Sequence, residues 1–185
     1  MSVLETERLS LRELSASDAG FILELLNEPS FLRNIGDRGV RTIDDAVQYI
    51  LSRFVESYER LGFGLWLVEL KESKVPIGIC GLVKRDALND VDIGYAFLPR
   101  FWSKGYACES ASAVMSYGMN SLGLRRILAV TNQDNTDSIR VLEKLGLKFE
   151  RMVSLSAGEP EIMLFASDTA LRVEDDTALR AEEHS

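Results

Sequence analysis

The sequence predicts a mixed α/β (α+β) domain whose central sheet is mostly antiparallel and flanked by helices, and three observations carry this. The β-rich runs "GLWLVEL", "VPIGICGLV" and "VDIGYAFLP" are separated only by "KESK" and "KRDALND", connections short enough to demand antiparallel neighbours. After them a helical segment lies between two strands, which requires one strand-helix-strand crossover. Of the 185 residues 46% are hydrophobic, which suits one full-sized core and falls short of two.

Taken in order, "ERLSLREL" (Glu7 to Leu14) alternates Leu9 and Leu11 with Ser10 and Arg12, the period of a half-buried strand. "SASDAGFILELLNE" offers Ser15 or Ser17 as a cap and an apolar stripe at Phe21, Ile22, Leu25 and Leu26, so a helix is expected to end near Asn27 to Pro29. "NIGDRGVR" is expected to be a loop. Thr42 followed by Asp45 makes a near capping box for a long helix with Ala46, Val47, Ile50, Phe54, Tyr58 and Leu61 on its apolar face, closed by Gly62. The three meander strands follow. Ala107 to Ser121 is small, apolar and helical, ending at Gly123; "RRILAVTN" is a strand; "NTDSIRVLEKLG" is a helix with Asn135 or Thr136 near its cap; "LKFERMV" and "EIMLFAS" are strands. The order is β-α-α-β-β-β-α-β-α-β-β. Residues 1–166 read as the domain. Residues 167–185 carry the imperfect duplication "DTALRVED" and "DTALRAEE", too few copies for a repeat fold, and read as an acidic extension.

Composition narrows the function. Net charge is −8, half of it in the tail from Asp168 onward, and no basic stripe marks a nucleic-acid footprint. An acidic body suits a cationic partner such as an amine. No apolar run approaches the roughly 20 residues of a membrane span. Cys80 and Cys108 lie far apart without metal-like spacing, and no leader segment precedes them, so no metal is expected and a reducing cytoplasm is.

The stretch "RFWSKGYACES" (Arg100 to Ser110) leaves a strand, makes a small-residue turn and enters a helix. Unpaired N–H groups and the positive end of the macrodipole meet there, so it is a place for an anion. Ser103 and Gly105 let a phosphate approach the backbone, and Lys104 adds charge. The turn is neither a Walker A loop nor a dinucleotide fingerprint. On local spacing alone an ordinary strand-to-helix turn over Phe101 and Trp102 remains the alternative.

Together, "TERLSLREL", "GFGLWLVEL", "IGICGLV", "VDIGYAFLPRFWSKGYACES" and "NQDNTDSIRVLEKLGLKFE" resemble, in order from Val3 to Ala166, the GNAT superfamily of N-acetyltransferases. The resemblance is to its Rim-type branch of ribosomal-protein N-terminal acetyltransferases. It implies the GNAT acyl-CoA N-acyltransferase fold, acetyl-CoA as cosubstrate, and a primary amine as acceptor that attacks the bound acetyl-CoA directly in a ternary complex. A protein N-terminal amine is the acceptor the branch implies; a small-molecule amine such as an aminoglycoside or polyamine, or a non-catalytic acyl-CoA sensor, are the rival readings. A homodimer is left open. The family's pyrophosphate signature falls on Trp102, Gly105 and Ala107, with Trp102 where other branches carry Gln or Arg and Ser103 where this branch often has Gly. By that resemblance the N–H groups of Ser103, Lys104, Gly105, Tyr106 and Ala107 cradle the pyrophosphate.

The resemblance also places catalytic roles. Asp92 stands where several members carry a glutamate base, one methylene longer, which implies a water between Asp92 and the amine. On the residues alone Asp92 reads equally as a solvent-facing strand-edge aspartate, and Glu159 and Glu161 are alternative bases. The backbone of Phe97 and Leu98 is implied to meet the thioester and pantetheine arm, and Gly94 to mark a strand bulge. Asn135 is implied to hold the pantetheine amide, a role compatible with capping its helix. The tyrosine that many members use as general acid is replaced by Leu142, with Ser138 as the substitute. Arg140 and Lys144 are candidates for the ribose phosphate, with a solvated helix face as the alternative. Cys108 lacks a histidine partner, since His184 in the tail is the only one, and reads as a packing thiol. The loops Leu32 to Arg41 and Ala157 to Glu161 are the expected walls of the acceptor side.

Overall fold

Turns of a few residues leave β3 (Leu65–Leu70), β4 (Pro76–Val83) and β5 (Asp92–Phe97) to pair as antiparallel neighbours, and the sheet grows outward from them. The computed structural model describes residues 1–168. The acidic extension expected at the C-terminus lies, from residue 169, outside the described residues. On one side the sheet adds β2 (Leu9–Arg12) and β1 (Ser2–Glu5); on the other, β6 (Leu128–Thr131), β7 (Lys148–Val153) and β8 (Ile162–Ala166). Among the described residues eight strands run β1-β2-β3-β4-β5-β6-β8-β7, and there only β5 and β6 pair in parallel.

Helices cover both faces: α1 (Ala19–Asn27), α2 (Pro29–Asn34), α3 (Ile43–Tyr49) and α4 (Glu56–Leu61) between β2 and β3, α5 (Tyr106–Asn120) as the β5-to-β6 crossover, and α6 (Thr136–Lys144) after β6. Alternation along β3 divides the core. Trp66 and Val68 join Cys80, Leu82 and Ile93 against Ala111 and Val114 of α5 and Leu142 of α6. Leu67 joins Ile79 and Leu98 against Ile22, Leu25, Ala46 and Ile50 on the opposite face.

Three expectations change. The single N-terminal strand is a hairpin, because the turn 6–8 folds Ser2–Glu5 back onto Leu9–Arg12. The first helix ends at Asn27, as expected, but past extended Glu28 (ψ 134°) Pro29 opens a further helix, α2, that the expected order lacks. The long helix begins at the Thr42–Asp45 capping box, with Asp45 N–H on Thr42 Oγ1 at 3.1 Å and Thr42 N–H on Asp45 Oδ2 at 3.0 Å, but passes through a π-helical stretch at Ile50–Val55 before α4 ends at left-handed Gly62.

Candidate active site

The parallel pairing of β5 and β6 amounts to one register pair, Asp92 with Leu128, where Leu128 N–H reaches Val91 O at 2.9 Å. Past that point β5 stays with β4 and β6 stays with β8, so the two strands separate. A cleft of about 1250 Å³ opens there, lined by β5, β6, the start of α5, α6 and the α2 region. Leu98 N–H bonds Ile77 O at 3.0 Å, which points the amides of even-numbered β5 residues toward β4. Strand alternation then turns the Phe97 N–H the other way, into the gap. Leu98 itself departs from expectation: its N–H is held by Ile77, its carbonyl accepts from Phe101 N–H at 2.9 Å, its side chain is fully buried, and it does not line the cleft. The expected bulge at Gly94 is also absent, since the β4–β5 register is continuous.

The anion turn is built as its residue types allow. Trp102 Nε1 donates to Phe97 O at 2.9 Å and ties the turn to the strand end. Ser103 (φ 59°) and Gly105 (φ 82°) are both left-handed, on either side of Lys104. The first α5 hydrogen bond runs from Glu109 N–H to Gly105 O, so the N–H groups of Tyr106, Ala107 and Cys108 have no helical carbonyl to bind. Ser103, Gly105, Tyr106, Ala107 and Cys108 line the cleft; the Lys104 side chain turns aside, its Nζ 5.8 Å from the Phe101 ring centroid. Sequence reasoning gave no role to the partners behind this turn. Arg8 donates through Nε to Glu109 Oε2 at 2.7 Å and through Nη1 to Lys104 O at 2.9 Å, and Thr6 Oγ1 donates to Glu109 Oε1 at 2.6 Å. These contacts join positions about a hundred apart, for which no local pattern exists.

Asp92 is fully buried, which removes the solvent-facing alternative. Its two carboxylate oxygens each accept from Arg85 Nε at 3.1 Å, and the group lines the cleft. Burial pushes its pKa up to about 6 against the opposing pull of Arg85. Alternation along β5 puts Asp92 with Gly94 and Ala96 on the face of α1 to α4, while Tyr95 points to the α6 face. Glu159 also lines the cleft and Glu161 does not.

On α6, Asn135 caps the helix by accepting Ser138 N–H at 3.2 Å. Ser138 Oγ lies 2.9 Å from Tyr95 Oη, which also donates to Ser138 O at 3.3 Å. Tyr95 is a second residue that spacing did not single out. Leu142, almost fully buried, lines the cleft together with Arg140 and Lys144, and Arg140 sits 3.7 Å from Asp137. From the expected acceptor walls, Arg33, Asn34, Ile35, Gly36, Arg38 and Glu159 reach the cleft, and Asn132 Nδ2 donates to Asn34 O at 3.0 Å. Among the described residues no cluster of metal-ligating side chains occurs and no helix is long and apolar enough to cross a membrane.

The family model described as "Acetyltransferase (GNAT) domain" matches residues 8–148. The chain is 34% identical over 149 residues to the uncharacterized N-acetyltransferase YoaA of Bacillus subtilis, a match covering 80% of this chain and 84% of that protein. A GNAT-family acetyltransferase structure from Bacillus anthracis is 26% identical with a TM-score of 0.73, covering 88% of this chain and 96% of that one. RimL, a ribosomal L7/L12 alpha-N-protein acetyltransferase in complex with coenzyme A, shares the fold at 17% identity with a TM-score of 0.77, covering 91% and 99%.

Proposed function

The chain belongs to the GNAT acetyltransferase domain family and is an N-acetyltransferase, and from that premise we propose that it transfers the acetyl group of acetyl-CoA to the N-terminal amine of a protein. The observation that supports acetyl transfer is the gap between β5 and β6, with unpaired helix N–H groups at one end and a buried carboxylate of raised pKa at the other, and the protein acceptor is suggested by the fold shared with RimL, a ribosomal L7/L12 alpha-N-protein acetyltransferase.

The residues divide the work. Amides of Ser103 to Ala107 receive the pyrophosphate, in a turn that Gly105 holds left-handed at φ 82°. Asn135 keeps its Nδ2 for the pantetheine amide while its oxygen caps α6. Arg140 and Lys144 take the ribose phosphate. Phe97 N–H stabilises the negative charge that builds on the thioester oxygen. Asp92 accepts the ammonium proton through a water, and the freed amine nitrogen attacks the thioester carbon. The carbon–sulfur bond breaks as the attacking nitrogen gives up its second proton, and that proton goes to the departing thiolate, whose charge Ser138 Oγ–H stabilises by a hydrogen bond while keeping its own proton. Holding both reactants in one gap supplies much of the acceleration. Two free cysteines, Cys80 and Cys108, suit a reducing cytoplasm as the place of action.

The test is thiol release from acetyl-CoA with a peptide amine panel and a small-amine panel. Peptide N-termini are expected to turn over, with kcat/KM rising with pH through about 6 in its enzyme limb. Asp92→Asn is expected to lower kcat by about 10²–10⁴ while CoA still binds. Turnover confined to small amines would replace the protein acceptor with a metabolite, and an unaltered Asp92→Asn rate would remove Asp92 as the base.

A further inference from the structure

We propose that Arg8 is a positioning residue for acetyl-CoA, fixing the Lys104–Gly105 peptide and neutralising Glu109 so that the turn before α5 accepts a pyrophosphate. The inference rests on acetyl-CoA being the cosubstrate. Arg8 stands in the turn between β1 and β2 and reaches across to α5 on the side of the turn away from the cleft.

The contacts are directional. Nη1 donates to Lys104 O at 2.9 Å. In a trans peptide the C=O and the following N–H point in opposite directions, so a Lys104 carbonyl held toward Arg8 turns the Gly105 N–H away from it, toward the cleft. Gly105 also leaves room for the guanidinium, since a Cβ there would lie 3.3 Å from Arg8 Nη2. The guanidinium stacks 4.6 Å from the Tyr106 ring centroid. One side chain thus touches Lys104, Gly105 and Tyr106, the middle of the anion turn.

The second part is electrostatic. Glu109 sits in the first turn of α5, where a carboxylate favours the helix but repels an incoming pyrophosphate. Arg8 Nε and Nη2 both meet its Oε2 at 2.7 Å, while Thr6 Oγ1 and Arg8 N–H satisfy Oε1 at 2.6 and 2.9 Å. Neither residue lines the cleft, and the pair stands behind the anion turn with no net charge. A surface ion pair that only pinned β1 and β2 to α5 would contribute little to stability and nothing to ligand choice.

Calorimetric titration with CoA, together with steady-state kinetics on acetyl-CoA and on S-acetylpantetheine, which lacks the pyrophosphate, tests this. Arg8→Ala is expected to weaken CoA binding roughly tenfold, the size of one charge-assisted hydrogen bond, and to leave the KM for S-acetylpantetheine unchanged. Adding Glu109→Gln to Arg8→Ala is expected to restore part of the lost CoA affinity. Arg8→Lys keeps the charge but not the fork, and its CoA affinity is expected to fall while its unfolding midpoint holds, so the test survives if the alanine variant unfolds. Equal losses with both thioesters, wild-type CoA affinity in Arg8→Ala and Arg8→Lys, or no recovery on removing the Glu109 charge would each overturn the role of Arg8. A wild-type protein that binds no CoA would overturn the acetyl-CoA reading and this inference with it.

Discussion

Asp92 carries opposite consequences for chemistry and for folding. Its pKa in the folded chain is about 6, above that of an unfolded aspartate, because burial disfavours the charge more than Arg85 supports it. Between about pH 4 and pH 6 the folded chain therefore holds a proton that the unfolded chain has released, and stability falls as pH rises through that window. Above it the ionised group costs on the order of 1–3 kcal/mol. Asp92→Asn should thus raise the unfolding free energy at pH 7.5 by about that amount in urea titrations, while the gap closes near pH 4; a less stable variant at pH 7.5 would refute it. Ser103 carries a smaller cost. A non-glycine residue at φ 59° gives up roughly 1 kcal/mol, so Ser103→Gly is expected to stabilise by about 0.5–1 kcal/mol in the same assay, without loss of CoA binding.

At the scale of elements, the capping box before α3 is the clearest link between local sequence and local structure. Thr42→Ala removes the acceptor for Asp45 N–H and is expected to cost about 1 kcal/mol, read as a lower urea midpoint with unaltered slope. That box was legible because its partners are three residues apart, as were the β3 to β5 meander and the α5 crossover, all short-range patterns. Pro29 misled because the same residue that cannot continue a helix is well suited to begin one. The site divides the same way. The turn at Ser103 and Gly105 announces itself in composition, and burial of Asp92 does not, since an aspartate at a strand start reads as exposed until β4 and β6 close around it. Arg8 on Glu109 and Tyr95 on Ser138 join distant segments, and only the fold brings them within hydrogen-bond reach.

For the whole molecule, the decisive feature is that β1 to β5 and β6 to β8 meet as neighbours at one register pair. Elsewhere along that line the sheet is an unfinished ladder, held together by α5 and the packing around it. A cosubstrate lying in the gap, with its arm against Phe97 and Asn135, would act as the missing rung. Ligand binding should then be felt as mechanical closure: with CoA at 100 times its Kd, the unfolding free energy is expected to rise by about 2.7 kcal/mol. Amide exchange should slow at Tyr95 and Phe97 and along β6, while β1 and β2 keep their rates, and slowing confined to the anion turn would contradict it. A cosubstrate held in that gap would complete the sheet only while it is bound, so the protein would stiffen on loading and loosen when product departs.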